Sequence, residues 1–311
     1  MLYCYITVFW GAKLRVSAMR TISGLVLAFM LAIASPPSAR AADAKIAVVA
    51  AENFYGDIAR QIGGDAADIA SIMSNPDQDP HLFETTPGVV RQVADARIVI
   101  VNGADYDPWM EKLLAAAPRP RRIVINAADL VQRKAGDNPH LWYDPATMPA
   151  VAKALAAAFA AADPAHKSDY DARLANFVAS LAPLNAKISA IRDKFSGAAV
   201  TASEPVFGYM AGALKLKMRN ERFQLAIMND TEPGAHDVAA FEQDLKTHKV
   251  RVLFYNKQAS SKVVQHLIEL AQQAKVPVVG ITETQPTGLS FQDWMLSQLN
   301  ETEKALAGPT S

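Results

Sequence analysis

The chain has 311 residues, is 50% hydrophobic and 20% charged, and carries a formal net charge of +0. That balance excludes the basic excess of a nucleic-acid binder, so no nucleic-acid partner is expected. The length allows two lobes with sizeable cores, and a single cysteine, Cys4, excludes a disulfide framework.

In chain order, the first feature is an export leader. Residues 24–34 form an apolar run, with Arg20 just before it and Pro36-Pro37 after it. Ala39-Arg40-Ala41 is a cleavage signal of the A-x-A kind, which predicts a signal peptide over 1–41 and a mature chain from Ala42. Met19-Arg20 is the more natural start, because 19–41 has ordinary signal proportions. Cys4 precedes the apolar core, so the mature chain has no thiol to act as nucleophile, metal ligand or lipid attachment point. No later segment is expected to span a bilayer. These features predict a soluble exported protein of the periplasm.

From residue 45 the chain alternates between β-rich runs and amphipathic runs. Strands are predicted over 45–50, 68–73, 97–102 and 122–126, with helices over 54–62, 87–96 and 108–116 between them. Ile98-Val99-Ile100-Val101 is continuously apolar, as parallel strands covered on both faces are. Arg119-Pro120-Arg121-Arg122 reads as a solvated turn. Asp163-Pro164 is an N-cap followed by an N1 proline and opens a helix reaching towards residue 195, kinked at Pro183 and ended by Gly197. The alternation then resumes, with strands over 198–203, 223–227, 250–255 and 276–282 and helices over 206–214, 237–247, 261–274 and 291–307. The pattern predicts an α/β fold of two (β/α)4 lobes, 42–162 and 197–311, joined by a long rigid helix over 163–196.

Two segments stand out against this frame. Asp79-Pro80-His81-Leu82-Phe83 and Asn138-Pro139-His140-Leu141-Trp142 repeat a Pro-His-Leu-aromatic tetrad, each in a loop after a predicted strand. Proline stiffens both loops, and pre-placed imidazoles suit a metal ion. Ligands of open α/β sheets bind beyond the carboxyl ends of strands. The second lobe offers Glu204 and Glu283 at such ends, in Ser203-Glu204-Pro205 and Thr282-Glu283-Thr284. Two neutral imidazoles and two carboxylates neutralise a divalent ion, which lowers the cost of burying its charge. The predicted site is therefore His81, His140, Glu204 and Glu283 in an interlobe cleft. His166 and His266 read as solvated helix residues. His248 reads as a helix-end cation, and His236 and Asp230 lie in a loop that opens towards the cleft. Asp79, Asn138 and Asp144 could fix the histidine tautomers.

The Pro-His loop, the Asn138-Pro139-His140-Leu141-Trp142 motif, the connecting helix and the terminal Thr282-Glu283 segment resemble the zinc/manganese-type solute-binding proteins of metal ABC importers. The successive gaps of 59, 64 and 79 residues between the four ligands are similar to that family's. The resemblance covers essentially the whole mature chain. It implies capture of one divalent transition metal as transported ligand, Zn2+ or Mn2+ or also Fe2+. It further implies an inner-membrane ABC permease as partner, a monomer and no catalysis. Three departures matter: glutamate, not histidine, at 204; glutamate, not aspartate, at 283; and Asn256 where the family has an acidic residue in the penultimate strand. The His/Asp-rich loop of many zinc-type members is absent. The two glutamates make a harder set, suited to manganese or iron(II), although zinc should still bind more tightly. The alternatives are a periplasmic metallochaperone and a metal-dependent hydrolase; the second would need an open coordination position and a general base, and no HExxH or Gly-x-Ser-x-Gly motif occurs.

Overall fold

The structure is a computed structural model that describes residues 45–75, 83–259 and 261–308. The predicted signal peptide, the start at Met19, Cys4, Asp79 and His81 lie outside the described residues.

The first half runs β1 (Ile46–Glu52), α1 (Asn53–Gly63), β2 (Ala67–Met73), α2 (Pro87–Asp95), β3 (Ile98–Val101), α3 (Pro108–Ala116), β4 (Ile123–Asn126) and the short α4 (Ala127–Leu130). Its four strands form one parallel sheet in the order β2-β1-β3-β4. Then come α5 (Thr147–Ala162), α6 (Lys167–Ser180) and α7 (Ala182–Phe195). The second half runs β5 (Ala199–Ala202), α8 (Gly208–Ala213), β6 (Lys217–Arg219), α9 (Glu221–Met228), α10 (Ala235–Lys246), β7 (Leu253–Asn256), α11 (Lys262–Gln273), β8 (Val278–Ile281) and α12 (Phe291–Ala307). Its sheet is again parallel and repeats the same order, β6-β5-β7-β8. The α/β class with two four-stranded parallel sheets is thus as the alternation predicts.

β3 is apolar throughout and β7 largely so because each divides its side chains between two cores. In β3, Ile98 and Ile100 enter a central cluster, while Val99 and Val101 enter an outer one with Val93 and Met110. In β7, Phe254 enters the central cluster and Leu253 an outer one with Phe223, Phe241 and Leu267. The central cluster is continuous from β1 and α1 through α5 and α7 to α8, β5 and α12. The two sheets therefore share one apolar body.

Three expectations need correction. Residues 223–227 are not a strand: they lie in α9, and the strand at this edge is Lys217–Arg219. A short apolar run fits either period, and here Phe223 and Ile227, four apart, face the same outer cluster. Arg122 is not in a solvated turn. Its guanidinium donates to the carbonyls of Val93, Ala94, Ala96 and Ala117 and so caps the ends of α2 and α3. Finally, Pro164–Phe195 is long enough to pass for a membrane span, and its most apolar 18-residue stretch reaches a mean hydropathy of 1.2. It is broken at Leu181 rather than continuous, because Pro183 at the start of α7 lacks the N–H that would prolong the helix. Its apolar side chains Tyr170, Phe177, Leu184, Ile188 and Ile191 are buried in the central cluster.

Candidate metal site

A parallel sheet in the order 2-1-3-4 changes direction between its first and third strands, and that point is where ligands bind. In the second sheet the β5–β7 register pairs Ala202 with Phe254, so two residues on Glu204 and Asn256 share the switch point. In the first sheet Ala50 pairs with Ile100, which places Glu52 and Asn102 at the equivalent positions. Each sheet thus presents a Glu/Asn pair at its switch point, and all four residues are buried.

In the second half Asn256 joins the carboxylates. Its Nδ2 donates to Glu204 Oε2 at 3.2 Å and to Glu283 Oε1 at 2.6 Å, while its Oδ1 accepts from Gln258 N at 3.0 Å. Gln258 Oε1 in turn accepts from the backbone N–H groups of Glu283, at 2.5 Å, and Thr284, at 3.1 Å. Asn256 N donates to Ser203 Oγ at 3.1 Å. The ends of β5, β7 and β8 are cross-linked by these side chains.

The first half contributes His140, which is 0% exposed. Asn138 Nδ2 donates to Pro205 O at 2.8 Å, so its Oδ1 must face the imidazole. His140 Nδ1 lies 2.6 Å from that oxygen and therefore carries the proton. Nε2 is left with its lone pair, 3.4 Å from Glu283 Oε2. Such a nitrogen and a carboxylate oxygen facing each other inside a protein are satisfied by a cation between them, either a proton or a metal ion. Tyr106 OH also donates to Glu283 Oε2, at 2.9 Å. Trp142 packs edge-on against His140, with ring centroids 5.3 Å apart, and Tyr106 lies 5.0 Å from Trp142.

The structure therefore joins Glu204 and Glu283 through Asn256 and sets His140 against Glu283. His81 lies outside the described residues, and among the described residues no three His, Cys, Asp or Glu close around one point. Glu204 also borders a cavity of about 270 Å³ whose walls include Met228, Asp230 and Glu232. His236 is exposed beside Asp237, His166 pairs with Asp163, and His266 pairs with Glu242. Among the described residues Asp144 does not pair with a histidine: it accepts from Ala146 N and lies 3.8 Å from Arg133.

Sequence reasoning missed Glu52, Tyr55, Asn102, Tyr106 and Asp107, which form a buried polar group behind His140. Asn102 Nδ2 donates to Pro139 O at 2.9 Å, holding the histidine loop, and its Oδ1 accepts from Tyr55 OH at 2.7 Å. Asp107 accepts from Asn102 N and Gly103 N, yet burial pushes its carboxyl up to about 6. Burial, and then the charge of Asp107, raise Glu52 well above the usual carboxylate range. Burial and the nearby carboxylates raise the Tyr106 phenol. The signal available was position, since Glu52, Asn102 and Tyr106 all stand at or just after strand ends.

The fold and this site define a two-sheet α/β binding protein with donors from both halves. Residues 48–305 match the family described as zinc-uptake complex component A, periplasmic, and the chain belongs to that family. It is 25% identical to a putative metal-binding protein of Treponema pallidum, over 94% of this chain and 96% of that one. It is 24% identical to the manganese ABC transporter substrate-binding lipoprotein PsaA of Streptococcus mitis, over 89% and 94%. Among solved structures, the periplasmic zinc-binding protein TroA of Treponema pallidum superposes with a TM-score of 0.72 at 19% identity, covering 84% of this chain and 99% of that one.

Proposed function

We propose that this protein captures one divalent transition-metal ion outside the cytoplasm and delivers it to an inner-membrane ABC permease for import. His81, His140, Glu204 and Glu283 would hold the ion, which is zinc, manganese or iron(II). The protein would work as a periplasmic monomer, with lobes 42–162 and 197–311 on the spine 163–196, and without catalysing a reaction. The observation that carries this reading is the buried lone pair of His140 Nε2 facing Glu283 Oε2 across 3.4 Å. Family membership supports it, and so do relatives described as substrate-binding components of metal ABC transporters. The donor set also fits: imidazole nitrogen and carboxylate oxygen suit zinc, iron and manganese.

Titration of metal-stripped protein with zinc should give about one ion per chain, and His140→Ala should lose most of that affinity. Affinity should also fall on acidification, because imidazole must be neutral to coordinate. Wild-type stoichiometry near zero, or His140→Ala with undiminished affinity, would refute the site.

A further inference from the structure

We infer that Asn256 is a specificity-determining residue: it restrains one oxygen of each carboxylate, so that the site closes at a low coordination number and favours zinc over manganese. The inference rests on the ligand set proposed above.

The orientation of the Asn256 amide is unambiguous. Its Oδ1 accepts from a backbone N–H, that of Gln258, so its Nδ2 must be the group turned to the carboxylates. Nδ2 carries two protons and gives one to Glu204 Oε2 and one to Glu283 Oε1. At 3% exposure no solvent competes for these bonds. The clamp is itself anchored, through Asn256 N on Ser203 Oγ and through Gln258 Oε1 on the N–H groups of Glu283 and Thr284.

A carboxylate becomes bidentate by rotating both oxygens onto the ion. An oxygen tethered to a fixed donor resists that rotation, so each glutamate offers one metal-facing oxygen. Glu283 Oε2 is the one nearest His140 Nε2. Tyr106 OH adds a second restraint on that oxygen. One oxygen from each glutamate beside the His140 imidazole keeps the coordination number low, as the four-coordinate preference of zinc requires. Manganese prefers six oxygen-rich positions and gains most from carboxylates that can open to bidentate binding. An acidic residue at 256 would supply no such donor and would repel both glutamates. The neutral amide therefore compensates for a carboxylate pair that by composition alone is suited to manganese.

The test is competition calorimetry with zinc and manganese on the full mature chain, wild type against Asn256→Ala, together with the visible spectrum of the cobalt(II)-loaded proteins. We expect wild-type cobalt(II) to show the intense absorption of a four-coordinate ion. In Asn256→Ala that band should weaken as coordination number rises, and the zinc/manganese affinity ratio should fall by about tenfold, or about 1.4 kcal/mol. If Asn256→Ala fails to fold, Asn256→Ser replaces it: serine can accept from Gln258 N but reaches neither carboxylate. An unchanged ratio with an unchanged cobalt(II) band overturns the inference, as does a weak, high-coordinate band in wild type. His140→Ala separates the two failures. If it binds both metals as wild type does, the ligand set is wrong. If it loses both while Asn256→Ala keeps the ratio, only the clamp is wrong.

Discussion

Both ends of the Asn138 amide are committed: Nδ2 to Pro205 O in the second half of the chain, Oδ1 to the backbone N–H and the Nδ1 proton of His140. One side chain thereby fixes the tautomer that presents Nε2 to an ion. Removing such a partner typically lowers metal affinity by about 10–100-fold. Asn138→Ala should show a loss of that size in chelator-competition titrations with zinc; an unchanged constant would mean that His140 is oriented by its packing on Trp142 alone. A different residue governs how stability varies with pH. Neither carboxylate oxygen of Glu52 has a hydrogen-bond partner among the described residues. With its carboxyl raised by burial, native Glu52 keeps its proton at pH values where the unfolded chain has released it. The native state then binds more protons, so stability falls as pH rises from the unfolded value of about 4.3 until native Glu52 ionises. Denaturant titrations from pH 5 to 8 should show wild type losing stability relative to Glu52→Gln as pH rises. A pH-independent difference would show that Glu52 has an ordinary carboxyl.

At the scale of elements, most of what the sequence made legible was periodic or local. The strand-helix alternation gave the two sheets, and α3 and α12 fall on the helices predicted over 108–116 and 291–307. Asn138 was readable as a partner of His140 because it lies two residues away. Residues 223–227 were misread because five apolar-rich residues carry no period, and only the pairing of Lys217–Arg219 with β5 decides between strand and helix. Tyr106 reaches Glu283 across 177 positions and Asn256 reaches Glu204 across 52, separations that no local pattern encodes. The entry to α12 shows how a local signal also does non-local work. Ser290 Oγ accepts from Asp293 N and donates to Asp293 Oδ2, while Phe291 N donates to Asp57 Oδ2 on α1. Ser290→Ala removes the cap and should lower unfolding free energy by about 1 kcal/mol. Zinc affinity should be unchanged, because the cap touches no metal-facing group. A loss of affinity along with stability would mean that the α1–α12 contact helps set the site.

Across the whole molecule, the two halves are joined by more than α6 and α7. The Asn53 amide pairs with the backbone of Gln285, donating to its carbonyl and accepting from its N–H, only two residues from Glu283. Gln61 and Gln292 exchange side-chain hydrogen bonds, Tyr143 OH donates to Thr282 O, and Tyr209 OH donates to Asn138 O. Beneath these contacts the central core runs unbroken from β1 to α12. Opening the halves as rigid bodies would break several partly buried hydrogen bonds, each contributing about 0.5–1.5 kcal/mol, and would expose shared apolar surface. Capture of a single ion need not drive such a change, since a ligand shifts a conformational equilibrium only by its differential affinity for the two states. We therefore expect capture to move side chains and loops at the site while the two sheets keep their relative placement. Small-angle scattering of metal-free and zinc-loaded protein should superimpose, while Trp142 fluorescence changes because its ring lies against His140. A clear contraction of the scattering envelope on loading would show that the hydrogen bonds between the halves exchange during capture, and that the core is less continuous in the metal-free protein than its packing implies.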